Sequence, residues 1–118
     1  MKYPKGFNTI IPAYPYQKET IILGILYKNP GILLDVGLGK TFCAINIARY
    51  YLQANEIKKI LVITPVGVMG HWQNEIEKYS EYTSIILHAN NREDRLEKLK
   101  QENYQFYIIN YESLYKYR

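Results

Sequence analysis

Short apolar runs divide the chain and predict its β-strands. They lie at residues 31–35, 59–64, 84–87 and 104–110. A glycine-rich turn follows the first run and Pro65 follows the second, so each ends at residues that favour turns. Apolar runs of this length, bounded by turn residues, are typical of strands buried on both faces of a parallel sheet.

The segments between these runs show helical spacing instead. Ile21, Ile22 and Ile25 predict a helix over 17–27, and Pro30-Gly31 ends it. Further helices are predicted from Lys40 onward, over 68–79, over 91–102 and from 111 onward. Strands that alternate with helices form βαβ units. We therefore predict an α/β fold of three layers, a parallel sheet with flanking helices.

The first sixteen residues follow neither pattern. They contain Pro4, Pro12 and Pro15, and proline fixes φ and lacks a backbone donor. Residues 1–16 are accordingly predicted to be an extended, irregular segment, and residues 17–118 a single domain, because 118 residues suit one domain at most.

Composition narrows the class of protein without naming a function. The chain has one cysteine, no apolar stretch of membrane-spanning length and no secretory signal, so we expect a cytoplasmic protein without a membrane partner. A net charge of +4 suits an anionic partner such as nucleotide or nucleic acid. A basic domain that is merely soluble would have the same charge.

Residues 34–41, between a predicted strand and a predicted helix, carry the clearest chemistry. Gly37 and Gly39 allow backbone N–H groups to turn towards phosphate oxygens, and the following helix begins with a partial positive charge. Lys40 is expected to reach the β- and γ-phosphates, and Thr41 to bind Mg²⁺ through its hydroxyl. Leu34 stands where the general phosphate-loop pattern has glycine.

One segment resembles motif I of the Swi/Snf-type branch of superfamily 2 helicases, namely Asp35-Val36-Gly37-Leu38-Gly39-Lys40-Thr41. The resemblance implies a RecA-like P-loop NTPase that uses ATP and Mg²⁺. Three further segments agree in order: 14–17 resembles the Q motif, 61–65 with 71–75 resembles motif Ia, and 108–114 resembles motif Ib. The shortened motif I resembles phage and mobile-element relatives, which implies a bacterial or phage-infected cell.

The resemblance also implies the site residues. For nucleotide binding they are Tyr16, Gln17, Val36, Gly37, Leu38, Gly39, Lys40, Thr41 and Phe42, with Lys40 and Thr41 catalytic and Thr41 also the Mg²⁺ ligand. Gln17 would read the adenine edge, and an aromatic ring among Phe7, Tyr14 and Tyr16 either stacks on adenine or simply packs. Thr64, Pro65 and Tyr111 would contact the backbone of DNA, without a sequence code.

Two parts of such a motor are absent from these 118 residues. They lack an Asp-Glu-x-His segment, so the sheet is expected to be truncated before the Walker B strand, and they lack the second RecA-like lobe. We expect this chain alone to bind ATP or ADP weakly and not to turn it over, since both parts stabilise the transferred phosphoryl group. A sheet edge left open would favour self-association.

Other readings stay open at this point. One alternative is a regulatory nucleotide-binding module that never moves on DNA. Another is a small P-loop kinase, although the lid arginines and acceptor pocket of such a kinase are not evident in the sequence. Among the remaining residues, His71 is expected to be a surface or packing residue of its helix, Trp72 a core anchor, and Cys43 buried and inert.

Overall fold

The structure is a computed structural model that describes residues 2–26, 40–87, 97–98, 100 and 103–110. Within these ranges the elements are α1 (Pro15–Leu26), α2 (Lys40–Gln53), β1 (Ile60–Thr64), a 3₁₀ turn (Val66–Val68), α3 (Met69–Tyr79), β2 (Ser84–Ile86) and β3 (Phe106–Asn110). The chain divides into two units, residues 1–57 and residues 58–118, and each is described by itself.

The predicted elements that fall within the described residues are confirmed, with small shifts at their ends. Helix α1 begins at Pro15, so the irregular segment is two residues shorter than predicted. The reason is that proline fits the first position of a helix, where its missing N–H costs nothing. The predicted strand 31–35 and the predicted helix from 111 lie outside the described residues. The predicted helix 91–102 is described only at residues 97, 98 and 100, of which 97 and 98 are helical.

In the first unit, α1 packs against α2. Their core includes four side chains that expose 5% or less of their surface, namely Ile21, Ile22, Ile25 and Ile45. Burying side chains of this size stabilises the unit by about 1.5–3 kcal/mol each. Helix α2 is buried on more than one side, because Phe42, Cys43, Asn46, Ile47, Arg49, Tyr51 and Leu52 are buried as well.

Helix α2 ends in a left-handed residue, Asn55, whose φ is 59°. The Glu56 N–H donates to the Tyr51 carbonyl at 3.0 Å, and the Asn55 N–H donates to the Leu52 carbonyl at 3.1 Å. This pair of hydrogen bonds is the Schellman motif, which satisfies carbonyls at the end of a helix. Asparagine is one of the few residues other than glycine that adopt this conformation readily.

The second unit is built on a parallel three-stranded sheet in the order β1-β3-β2. The central strand β3 is buried over Phe106, Tyr107, Ile108 and Ile109, on both faces. A central parallel strand has no solvent-facing side, which explains its unbroken apolar run. Strands β1 and β2 are consecutive in the sequence but are separated in space by β3.

Helix α3 packs against β2 and β3. Its buried residues are Met69 and Ile76, while Trp72 is only half-buried. The expectation that Trp72 is a core anchor is met only in part, because Trp72 shares the helix face of Met69 and Ile76 but keeps some of its surface exposed. On β1, Leu61 and Ile63 expose 51% and 41% of their surface, so this strand presents an apolar face to solvent.

Candidate functional site

The phosphate loop itself, residues 34–39, lies outside the described residues, but the helix that follows it is described. Helix α2 begins at Lys40, and its first turn contains no acidic residue that would repel an anion. Thr41 is half-buried in this turn. The Phe42 ring is buried, with 6% exposed, so Phe42 offers a ligand only its backbone. The N–H groups at this helix end carry partial positive charge, which fits the binding of phosphate oxygens.

Gln17 lies in the first turn of α1, where its side chain caps the helix. Its Oε1 accepts a hydrogen bond from the Tyr14 N–H at 2.9 Å, three residues before it. A glutamine at the third helical position that returns to the N-cap N–H forms half of a capping box. Only 7% of Gln17 is exposed, and this bond fixes the orientation of its amide group.

Cys43 joins the start of α1 to the first turns of α2. Its Sγ lies 3.8 Å from the Gln17 carbonyl, to which the thiol donates a weak hydrogen bond. Burial raises the pKa of the Cys43 thiol to about 11, so the thiol is protonated at neutral pH. The predicted burial of Cys43 is confirmed. The structure thus brings together Gln17 and the turn that holds Thr41, two residues predicted for one site from distant parts of the sequence.

The three candidate aromatic residues differ in their surroundings. Tyr14 and Tyr16 expose 68% and 54% of their surface, and their rings lie 6.2 Å apart at an interplanar angle of 4°. Phe7 is buried, and its ring meets those of Tyr3 and Tyr50 edge to face. Phe7 is therefore a packing residue, whereas Tyr14 and Tyr16 have surface available for stacking.

Two of the residues predicted to contact DNA, Thr64 and Pro65, lie at the carboxyl end of β1. Thr64 ends β1 and stands beside Asn110, the last residue of β3, in the parallel register. Thr64 is 3% exposed, while Pro65 and the turn Val66–Val68 are exposed. Tyr111 lies outside the described residues. The ends of the motif Ia and motif Ib strands therefore adjoin, and backbone beyond Thr64 is the part open to a ligand.

His71 is at the surface, as expected. Its side chain is 59% exposed, and Nε2 lies 3.3 Å from an oxygen of Glu75, one turn further along α3. Within the described ranges no three side chains among His, Cys, Asp and Glu come close enough to hold a metal ion. His71 and Glu75 therefore form a side-chain pair on the surface of α3.

Comparison with known families decides the class of the protein. The model of the SNF2-related domain matches residues 16–118, most of the chain. This chain belongs to the SNF2-related domain family.

Individual relatives agree with this assignment. The chain is 29% identical over 119 residues to a "SWI/SNF-related matrix-associated actin-dependent regulator of chromatin subfamily A-like protein 1 homolog" from Caenorhabditis elegans, a match of 94% of this chain and 16% of that protein. It is 36% identical over 92 residues to the "Chromatin-remodeling ATPase INO80" of Emericella nidulans, covering 77% of this chain and 5% of the relative. The chain therefore spans a small part of the proteins it matches.

A solved structure shares the fold. It is described as the "Sulfolobus solfataricus SWI2/SNF2 ATPase core in complex with dsDNA", with a TM-score of 0.76 and 25% identity over 97% of this chain and 24% of that one. The α/β, RecA-like fold with a parallel sheet and flanking helices is thereby confirmed, as is the resemblance to Swi/Snf-type helicases. The relatives' names also confirm that this is a family of ATPases. None of the described helices is both long and apolar enough to cross a lipid bilayer.

Sequence reasoning missed several polar residues that this SNF2-family chain buries. Asn46, Arg49 and Ser80 expose 7% or less of their surface, and no motif includes them. A signal was present for two of them, because Asn46 and Arg49 interrupt the apolar residues of α2 three positions apart. Residues three apart lie on one helix face, so a shared buried partner was predictable, although its identity was not.

Proposed function

We propose that this chain binds ATP with Mg²⁺ and forms the ATP-binding part of an ATP-dependent DNA helicase or translocase. The observation that carries the proposal is the contact between the Cys43 thiol, in the first turns of α2, and the carbonyl of Gln17 at the start of α1. Adenine recognition and phosphate binding need groups at two ends of one nucleotide, and these helix ends supply them. The family assignment supports the same function.

Each residue has a distinct part in the proposed site. Lys40 neutralises charge on the β- and γ-phosphates, and Thr41 holds Mg²⁺, which supplies further positive charge at these oxygens. Backbone N–H groups of residues 36–42 surround the phosphates, so Phe42 contributes although its ring is buried. At the other end, Gln17 reads the adenine edge and Tyr16 lies against the base.

Calorimetric titration with ATP and Mg²⁺ tests the binding. Lys40→Ala is expected to weaken ATP binding by about tenfold or more, because charge-assisted contacts contribute about 1.5–3 kcal/mol. Lys58→Ala is the matched control, since Lys58 is an exposed lysine outside the proposed site, and it should bind as the unaltered chain does. Equal affinities for the two variants would remove Lys40 from the site.

We further propose that hydrolysis coupled to DNA movement belongs to a longer protein. This chain covers 16% of the Caenorhabditis elegans relative, and the relative's remaining length is available for the other catalytic parts. Hydrolysis by the isolated chain at a rate typical of a motor, abolished by Lys40→Ala, would contradict this proposal.

Contact with DNA is proposed at Thr64, Pro65 and Tyr111. The adjoining ends of β1 and β3 support this placement, and so does the similar ATPase core that was solved in complex with double-stranded DNA. In a full-length parent, Val66→Glu adds a negative charge to the exposed turn beside Thr64 and Pro65, which should repel the phosphates of DNA. DNA-stimulated ATP hydrolysis should then require more DNA, with the basal rate unchanged. A parent that binds ATP but shows no stimulation by DNA would favour a regulatory nucleotide-binding module.

Self-association of the isolated chain is proposed through β1. Leu61 and Ile63 are two residues apart and point to the same face of the sheet, and both are exposed. Sedimentation should show a mass that rises with concentration, and Leu61→Thr with Ile63→Thr should reduce it while keeping strand-forming residues. A monomer at all concentrations would contradict this part.

A cytoplasmic location in a bacterial or phage-infected cell completes the proposal, supported by the single cysteine and the shortened motif I.

A further inference from the structure

The N-terminal segment is attached to the helices of the first unit, although its sequence predicts only irregular structure. Its chain reverses at residues 4–7, where the Phe7 N–H donates to the Pro4 carbonyl at 3.0 Å. Gly6 has φ of +85° in this turn, a value that glycine adopts without strain. The turn directs Phe7 into the core, where 7% of its surface stays exposed.

Arg49 of α2 holds this segment in place. One guanidinium nitrogen, Nη1, donates to the Asn8 carbonyl at 3.0 Å and to Asn46 Oδ1 at 2.8 Å. The guanidinium carbon lies 5.3 Å from the centre of the Phe7 ring, a cation–π distance. Arg49 therefore contacts both a backbone carbonyl and a side chain of the segment.

Asn46 fixes the direction from which Arg49 approaches. Its Nδ2 donates to the Phe42 carbonyl at 2.9 Å, within α2 itself, so its Oδ1 faces Arg49. Asn46 is 0% exposed and Arg49 is 4% exposed. A buried cation is costly unless hydrogen bonds replace its hydration, and the planar guanidinium meets several partners at once. Lysine has a single nitrogen and no plane to lay on a ring, so this position calls for arginine.

The anchored segment leads directly to the adenine end of the proposed site. Asn8 is held by Arg49, and Tyr14 is held by Gln17 at the start of α1. The stretch between these two anchors, residues 9–13, therefore has both of its ends fixed, and the second end is the exposed Tyr14 that stacks on Tyr16. Loss of the hydrogen bond between Arg49 and Asn8 would free one end of this stretch and so make Tyr14 more mobile.

We propose that Arg49 is a positioning residue for base recognition, which holds the N-terminal segment so that Tyr14, Tyr16 and Gln17 are ordered before the nucleotide arrives. The inference rests on the proposed ATP binding. Arg49 touches no phosphate in this scheme. Substituting Arg49 should therefore weaken the binding of a ligand that carries the base, and should leave the binding of phosphates alone unchanged. A residue that only supported the fold would affect both kinds of ligand.

Calorimetric titrations with ATP and with inorganic tripolyphosphate, each with Mg²⁺, separate the two ends of the site. Arg49→Met should weaken ATP binding by about threefold to tenfold, because side chains that must be ordered on binding each lower the affinity. Tripolyphosphate binding should change by less than about twofold, since that ligand has no base to position. Amide hydrogen exchange should become faster over residues 7–14.

Further variants keep the test decisive if Arg49→Met loses its helical circular dichroism. Arg49→Lys retains the charge and should recover only part of the ATP affinity. Phe7→Leu retains an apolar core residue but removes the ring beneath the guanidinium, and it should show the same selective loss to a smaller degree. Lys5→Met is the control, because it removes an exposed cation from the same segment and should bind both ligands normally.

The possible results lead to different conclusions. A selective loss of ATP binding with faster exchange over 7–14 supports the proposal. Faster exchange with unchanged ATP binding overturns it, and so does an equal loss for ATP and tripolyphosphate, which would mean that Arg49 supports the fold in general. If the unaltered chain binds neither ligand, the proposed ATP binding itself fails, and that result does not depend on any Arg49 variant.

Discussion

The side chain of Gln17 accepts a hydrogen bond from the backbone N–H of Tyr14 at 2.9 Å. The same glutamine is the residue that the Q-motif resemblance assigns to adenine. A glutamine amide has one oxygen with two lone pairs and one nitrogen with two hydrogens. Gln17 can therefore cap α1 with its oxygen while its N–H₂ group is left for the proposed contact with a purine.

The two roles of Gln17 can be separated by substitution. Gln17→Glu keeps an acceptor for the Tyr14 N–H but has no donor for a purine nitrogen, whereas Gln17→Ala loses both. We expect Gln17→Ala to lower the free energy of unfolding by about 1 kcal/mol, and Gln17→Glu to retain most of it. Both should weaken ATP binding by about tenfold, because both leave the base without its donor. Denaturant melts and calorimetry measure the two quantities.

Asn74→Asp serves as the control for the added charge, because Asn74 is an exposed residue of α3. It should change neither quantity by much. If Gln17→Glu binds ATP as tightly as the unaltered chain, the donor role of Gln17 is wrong. If Gln17→Ala unfolds at the same denaturant concentration as the unaltered chain, the hydrogen bond to Tyr14 does not stabilise α1.

The stability of the first unit should fall at high pH because of Cys43. Burial raises the pKa of its thiol from 9.0 to about 11. Below pH 9 the thiol is protonated in both states, so this stabilisation is fully present. Above pH 9 the unfolded thiol ionises first, which favours unfolding, and the loss is complete near pH 11. The change amounts to about 3 kcal/mol at most.

Denaturant melts of the unaltered chain and of Cys43→Ala between pH 8 and pH 11 measure this effect. Cys43→Ala should flatten the decline between pH 9 and pH 11. A smaller decline should remain, since burial also raises the pKa of Tyr3 and Tyr51. Parallel curves for the two proteins would show that the thiol ionises equally in both states. Slow alkylation of Cys43 at pH 8, accelerated by denaturant, is expected for the same reason.

Those features of the fold that depend on local patterns were predictable from the sequence. The strands at 60–64 and 106–110 follow from apolar runs, because a buried parallel strand needs apolar residues on both faces. The start of α1 at Pro15 also follows a local rule, although the sequence prediction placed it at residue 17. Gln17 and Thr41 were assigned to one site by resemblance, and their helices do pack together.

The long-range arrangement was not predictable in this way. Nothing local places β3 between β1 and β2, since strand order depends on which surfaces pack against each other. The link between Arg49 and Asn8 joins residues that are 41 positions apart, and its acceptor is a backbone carbonyl that every residue type carries. The sequence therefore shows only the arginine of this contact and gives no sign of its acceptor.

Tyr51 gives a test of how α2 supports the end of α1. Its hydroxyl donates to the Ile25 carbonyl at 2.9 Å, in the last turn of α1, where carbonyls lack partners within the helix. Tyr51→Phe keeps the ring and leaves that carbonyl without the hydroxyl, so the free energy of unfolding should fall by about 1–2 kcal/mol. Tyr50→Phe, a neighbour whose ring also packs against aromatic rings, is the control and should change it by less than about 0.5 kcal/mol. Equal losses for the two variants would mean that the hydrogen bond to the Ile25 carbonyl is not the cause.

Two asparagines should respond to the same substitution with opposite signs. Asn55 has φ of 59° at the end of α2, where a Cβ is unfavourable and asparagine is better tolerated than alanine. Asn74 is exposed within α3, where alanine forms helix better than asparagine. Asn55→Ala should lower the free energy of unfolding by about 1 kcal/mol, and Asn74→Ala should raise it by about 0.5 kcal/mol. Asn55→Gly should preserve or raise stability, since glycine suits the Schellman motif. If Asn55→Ala matched Asn74→Ala in sign, the left-handed end of α2 would not be part of the folded structure in solution.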